Sequence, residues 1–498
     1  MSRARAVFIT LLIGHVFGSA PLAQAAAFVV DRTTDGTDAA PGDGVCATSS
    51  GGCTLRAAIQ EANALPGTDT ITLPAGTYLL AIPGRQENGA ATGDLDVTDT
   101  VTITGAGASA TIVDAAGVDR AFDVYAPVMM SGMSIRGGDP GPDGDGGAIF
   151  NGGTLTLSGV VLTGNHAGVS GGGLGNDNDA TLIDVTLADN TAELNGGGMD
   201  NNGTATLRRV AVVRNMAGSS GGGLSNDSEL TLENVTVSGN QAAFSGGGIT
   251  NNGTATHTAV TLADNTSSSG GALQNIGDVT LAYVILASGT SGGTCTSFGT
   301  LTSGGSNVET EDACGLRGSR DRVGTDPLLG PLDMNGGMTP SHALRPGSPA
   351  IDAGGRDCPP PAVDQRGMPR PADGDGDGIA TCDSGAYELV PDVPPLDARL
   401  DRLRRDIEAA VPAGLRDALT TMLTSAAARL AAAEQAIADG NTRAAKALLK
   451  KVARLLGRVA RKLRTRKVRA GVPADVRKQL RAETIQLKRD VVALRRSL

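Results

Sequence analysis

Between Ile149 and Cys295 the hydrophobic positions fall on a register that repeats six times. The apolar residue after each glycine cluster stands at Ile149, Leu174, Met199, Leu224, Ile249 and Leu273, in steps of 25, 25, 25, 25 and 24. Asparagines keep the same step in two further columns: Asn151, Asn176, Asn201, Asn226, Asn251, Asn275 and Asn165, Asn190, Asn215, Asn240, Asn265. A period of this length marks a stacked architecture whose units bury their apolar sides against one another. Inside a unit, apolar and polar residues alternate, as in Leu155, Leu157, Val160, Leu162 and again Leu230, Leu232, Val235, Val237. That is the period of strands, and no unit holds the roughly 10 to 12 residues of helical spacing that a helical repeat needs.

These patterns predict an all-β solenoid, a parallel β-helix of about 25 residues per coil, with glycine clusters such as Gly171 to Gly173 at its turns; that it is right-handed is what a resemblance to the family of such folds implies, not the periodicity. Coils stacked about 4.8 Å apart turn each column into a ladder. Apolar ladders fill the interior, and asparagine ladders bond amide to amide from coil to coil. His257 occupies the column of Leu157, Leu182, Leu207, Leu232 and Leu281. It is expected to be a core-edge histidine with one hydrogen bond rather than a ligand.

The flanks read differently. Residues 1–25 carry Arg3 and Arg5, an apolar run from Ala6 to Phe17, and Ala23-Gln24-Ala25 as a cleavage site, which predicts a secretory signal peptide. No transmembrane helix is expected after it, so the mature chain is expected to be secreted, extracellular or on the cell surface. Six cysteines follow, Cys46, Cys53, Cys295, Cys314, Cys358 and Cys382. An even number in an exported chain implies disulfides; six cysteines allow about 15 connectivities, of which pairing sequence neighbours is the simplest.

The block Cys53-Thr54-Leu55-Arg56-Ala57-Ala58-Ile59-Gln60-Glu61-Ala62-Asn63 places Leu55, Ala58, Ile59 and Ala62 at helical spacing, a short helix suited to capping the open end of the solenoid. This block resembles the Cys-Ser-Leu-Arg-Glu-Ala-Ile signature of bacterial exported β-helix proteins, with Thr54 and Ala57 as departures. The glycine-cluster units look like the chlamydial polymorphic outer-membrane protein repeats, with Leu162 or Val237 where that family prefers phenylalanine. Further on, Asp326-Pro327-Leu328-Leu329, Asn335-Gly336-Gly337-Met338-Thr339-Pro340, Gly347-Ser348-Pro349-Ala350-Ile351-Asp352, Asp364-Gln365-Arg366-Gly367, Arg370-Pro371 and Gly385-Ala386-Tyr387-Glu388 resemble the region called choice-of-anchor Q. These resemblances imply a fold and a place on the cell surface more than a chemistry. The expected divisions are a signal peptide at 1–25, a capped β-helix at 26–322, a choice-of-anchor Q-like part at 323–390, a proline-rich linker at 391–395 and a basic helical bundle at 396–498.

Charge separates the last division from the rest. Residues 391–498 hold 25 Lys and Arg against 11 Asp and Glu, a net +14, whereas the remainder carries −24. The basic tail is a candidate grip on a cell-envelope component or an anionic glycan. Nucleic acid is not expected, because the chain is exported and has no recognisable binding motif.

Two candidate sites follow from the remaining residues. Asp373-Gly374-Asp375-Gly376-Asp377-Gly378 matches the first half of a calcium loop, with Ser384 where a bidentate glutamate belongs. Asp184 with Arg209, Asp189 with Arg214, and Arg208 with Glu233 share columns on adjacent coils. If the chain were an enzyme, Asp184, Asp189, Arg208, Arg209 and Glu233 would be its catalytic candidates; as salt-bridge ladders they would be structural. Sugar-cleaving sites present stacking aromatics, and the chain has no Trp, four Tyr and seven Phe. The expected function is therefore a secreted or cell-surface structural or adhesive module, non-catalytic. The alternative is a polysaccharide lyase or glycoside hydrolase of the β-helix fold. A uniform ladder without concavity would favour the module, and a clustered acidic and basic cleft with an exposed aromatic would favour the enzyme.

Overall fold

The computed structural model describes residues 25–390 and 396–497, apart from 86, 288, 290, 356, 357, 359, 360, 378, 440, 466, 467, 469 and 470. The stretch expected to be a signal peptide, except Ala25, and the expected linker at 391–395 lie outside the described residues. The chain divides into two compact units, one reaching from the start to Leu389 apart from Gly376–Ile379, the other comprising those four residues and Val390–Leu498.

The first unit is a parallel β-solenoid of about nine coils, built from sheets of 19, 9 and 4 strands. Coils pair in register at the predicted step. Thr154–Ser158 pairs with Asp179–Ile183, that with Thr204–Arg208, and that with Glu229–Ser238, all parallel. The nine-stranded sheet runs back beyond the regular repeat: Ile149 pairs with Phe122, and Phe122 with Leu95. The alternating apolar residues form one continuous core, with Leu157, Leu182, Leu207 and Leu232 fully buried.

Both asparagine ladders form. Amide donates to amide from Asn151 through Asn176, Asn201, Asn226 and Asn251 to Asn275 at 2.6–2.8 Å. Asn165 through Asn265 do the same at 2.9–3.0 Å. His257 departs from its expected role: it lies between Leu232 and Leu281, fully buried, and among the described residues neither ring nitrogen finds a partner. The leucine column, not a polar edge, dictates its surroundings, and burial pushes its pKa down to about 4.

Helix α1 (Leu55–Ala64) caps the solenoid, with the Thr54 hydroxyl accepting from Ala57 N at its start. Its apolar face, Leu55, Ala58, Ile59 and Ala62, joins the solenoid core. The cysteine pairs 46–53, 295–314 and 358–382 stand at disulfide distance, with Cα separations of 5.1, 5.1 and 5.8 Å.

Residues beyond 323 add an antiparallel pair, Leu329–Asp333 with Ser341–Leu344. They run back along the flank of the coils: Gln365 accepts from the Thr236 hydroxyl at 2.6 Å, His342 meets Ser238 at 2.8 Å, and Ala386 N donates to Thr261 at 3.0 Å. The second unit holds α2 (Leu396–Ala410), α3 (Ala413–Ala438), α4 (Thr442–Lys462) and α5 (Ala474–Ser497), with a core that includes Leu403, Leu419, Leu430, Leu456 and Leu487.

Candidate functional site

The polar face of α1 explains the first signature block and positions a cleft. Arg56 is fully buried. Its guanidinium forks onto Asp35 at 2.8 and 3.1 Å and donates to the carbonyls of Ala90, Gly93 and Asp94 at 3.2, 2.7 and 3.0 Å. Gln60 donates to Ala90 O at 3.0 Å, while Asn63 donates to Asp96 O at 2.7 Å and accepts from Thr98 N at 2.9 Å. The helix therefore clamps residues 90–98, which carry Asp94 and Asp96. Ala90 and Gly93 turn that loop through left-handed backbone, φ 53° and 61°.

In the strands Leu95–Val97 and Phe122–Val124 the flanking residues point into the core. Alternation sends Asp96 and Asp123 to the opposite side, where they are register neighbours. Asp94, Asp96 and Asp123 bring carboxylate oxygens within 4.8 Å of one another. Asp119, Arg120 and Tyr125 complete an open cleft of about 490 Å³, walled also by Arg85, Pro140, Pro142 and Asp143.

Arg120 donates to Asp123 Oδ2 at 2.6 Å and sits 3.5 Å from Asp94 Oδ2. Its guanidinium lies over the Phe150 ring, 5.6 Å from the centroid. The Tyr125 hydroxyl donates to the same Asp123 oxygen at 3.1 Å, and the residue is 49% exposed. Asp96 Oδ2 accepts from Ala90 N at 2.8 Å, whereas its Oδ1 and that of Asp123 are buried with no hydrogen-bond partner among the described residues.

Arg120 and Arg85 do not balance so many acids. Burial pushes Asp94 up to about 8, reinforced by Asp119 and Asp96 and opposed by Arg120. Burial also lifts Asp96 to about 6 and raises Asp119 and Asp123, while burial and Asp123 together lift the Tyr125 hydroxyl to about 12. The cleft thus offers a protonated acid beside a carboxylate held by an arginine and a tyrosine.

The charged coil columns lie elsewhere. Asp184, Asp189, Arg209 and Arg214 occupy corners with φ of 54–56°, stacked in line with Gly159 and Gly164. Arg209 forks onto Asp184 at 2.7 and 2.8 Å, and Arg214 onto Asp189 at 2.8 Å twice. Arg208 stands 3.7 Å from Glu233. Thr339 donates to Arg209 O at 3.0 Å, so the later segment crosses part of this face.

At the acidic loop, Asp352, Asp373 and Asp375 bring carboxylate oxygens within 4.8 Å of one another. Asp352 accepts from Asp375 N at 2.7 Å and from the Thr381 hydroxyl at 2.9 Å, and Asp377 accepts from Ile379 N at 2.7 Å. These hard oxygens suit calcium, with Asp352 as the member the loop pattern lacked. Among the described residues, no helix is long and apolar enough to cross a membrane.

No family model matches the chain, and no curated protein matches it. Among solved structures, ORF18 of Geobacillus virus E2 is similar at 12% identity over 48% of this chain and 55% of that one, with a TM-score of 0.28. The chain thus spans about half of that protein's length, a likeness too slight to carry an argument.

Proposed function

We propose that the protein is an exported, surface-associated β-solenoid that binds a neutral or amino-sugar glycan in the cleft above Leu95–Val97 and Phe122–Val124, with the basic helical unit as its attachment. The carrying observation is the convergence of Asp94, Asp119, Asp123, Arg120 and the exposed Tyr125 in one open cleft. Carboxylates accept pairs of sugar hydroxyls, and a tyrosine face stacks on a pyranose ring. The acid excess repels uronates and sulfated chains, which sets the substrate class and argues against lyase chemistry here, since a lyase must neutralise a uronate.

Hydrolysis is the second reading, and one observation favours it. Asp94, raised to about 8, stays protonated at neutral pH beside Asp123, the pairing of acid and carboxylate that glycoside cleavage requires. The full chain, incubated with neutral, amino-sugar and uronate polysaccharides, should bind the first two, lose that binding in Asp123→Asn and Tyr125→Ala, and ignore the third. Absence of binding throughout would overturn the proposal. New reducing ends that vanish in Asp94→Asn would establish the hydrolase.

A further inference from the structure

The helical unit carries a charge cluster that its own fold does not compensate. On α4, Lys450, Arg454, Arg458 and Arg461 recur at steps of four, four and three, one stripe along the helix. The opposite face, with Leu449, Val452, Leu456 and Val459, is buried in the core. Lys488 and Arg495 of α5 face the stripe, and together the six line a groove of about 420 Å³ floored by Ala453 and Gly457. Lys488 runs across the glycine, its Nζ 3.7 Å from where a Cβ would stand. Ion pairs do occur in this unit, Arg402 with Asp406 and Arg404 with Asp401 and Glu408. Among the described residues none involves any of the six groove cations.

We propose that this groove binds a linear phosphate polymer. Six like charges held together oppose folding until a counter-charge arrives, so the arrangement is built for an anion. Eleven residues of α4 separate the first and last stripe cations, about 16 Å, which a single ion does not span and a chain of phosphates does. Four of the six are arginines, whose planar fork matches phosphate oxygens in pairs. Residues 391–498 contain no Phe, Tyr or Trp. Without an aromatic platform there is nothing to stack a nucleobase or a sugar ring, so the ligand is recognised through its phosphates alone.

This rests on the helical unit as the attachment device but fails separately from it, because binding is measured on the purified full chain and cell retention by deleting 391–498. Fluorescence anisotropy with labelled long-chain polyphosphate and with a glycerophosphate polymer distinguishes anhydride from ester sources. Polyuronate, heparin and a single-stranded DNA oligomer serve as competitors. Polyphosphate or the glycerophosphate polymer should bind, and Arg454→Glu with Arg458→Glu should weaken it at least about tenfold. Arg443→Glu with Lys451→Glu changes the net charge equally outside the groove and should have little effect. The milder Arg454→Gln with Arg458→Gln guards against misfolding and should lose affinity in the same direction. Equal loss in both charge-reversed pairs, equal competition by uronate or heparin, or tighter binding of DNA would each overturn the proposal, as would failure of both phosphate polymers to bind.

Discussion

At position 257 an imidazole stands where five other coils place leucine, and among the described residues neither nitrogen has a partner. Two buried polar atoms without hydrogen bonds oppose folding, so His257→Leu should raise stability by about 1 to 3 kcal/mol at pH 7, measured by chemical denaturation. The effect should also depend on pH. The folded pKa, about 4, lies below the unfolded 6.5. The unfolded chain therefore takes up the proton first, and stability falls as pH drops through that window. The advantage of the leucine variant should widen by roughly 3 kcal/mol between pH 7 and 4, and a gap independent of pH would refute the buried neutral imidazole. Asp94 has the opposite sign. Its folded pKa is raised, so the folded chain holds the proton more tightly and this site loses stability as pH climbs from about 4 towards 8. Asp94→Asn should flatten that alkaline loss in melting curves taken at pH 5 and 8.

Among the elements, the helix cap joins sequence signature to site. Arg56 is held by one buried carboxylate and three carbonyls, so Arg56→Met leaves Asp35 buried without its cation. The substitution should cost about 3 to 5 kcal/mol. It should also free residues 90–98, making them the first segment cut in limited proteolysis; unchanged protection would show that the clamp does not hold the cleft. The coils, the amide ladders and the capping helix were legible in the sequence because stacking forces equivalent residues into equal columns. The acidic cleft was not, since its residues lie on coils that precede the regular repeat. One signal was there: Leu95-Asp96-Val97, Phe122-Asp123-Val124 and Ile149-Phe150-Asn151 follow one another at steps of 27. Extending the column backwards aligns Asp96 with Asp123. The opposite happened at Asp184, Asp189, Arg208, Arg209 and Glu233, where matching charges in matching columns were visible. The left-handed corners of Asp184, Asp189 and Arg209, and the forks of Arg209 onto Asp184 and Arg214 onto Asp189, are properties of backbone and rotamer that no column records. The later signature residues pair as well: Arg366 forks onto Asp364 and stacks 3.6 Å over Tyr387, and buried Arg370 meets Glu388 at 3.2 Å.

At the scale of the molecule, an acidic solenoid and a basic helical unit have separate cores. Units with separate cores unfold as separate cooperative steps. Calorimetry of the full chain should therefore resolve two transitions, and deleting 391–498 should remove one while leaving the other in place. The cysteines allow the transitions to be assigned without any mutation. All three pairs lie in the solenoid unit, each closing a loop worth roughly 2 to 4 kcal/mol against the unfolded chain. Reducing agent should lower the solenoid transition and leave the helical one fixed. A reductant that moves both equally would mean the two units unfold as one, and the helical unit could not then be removed without unfolding the solenoid that carries the cleft.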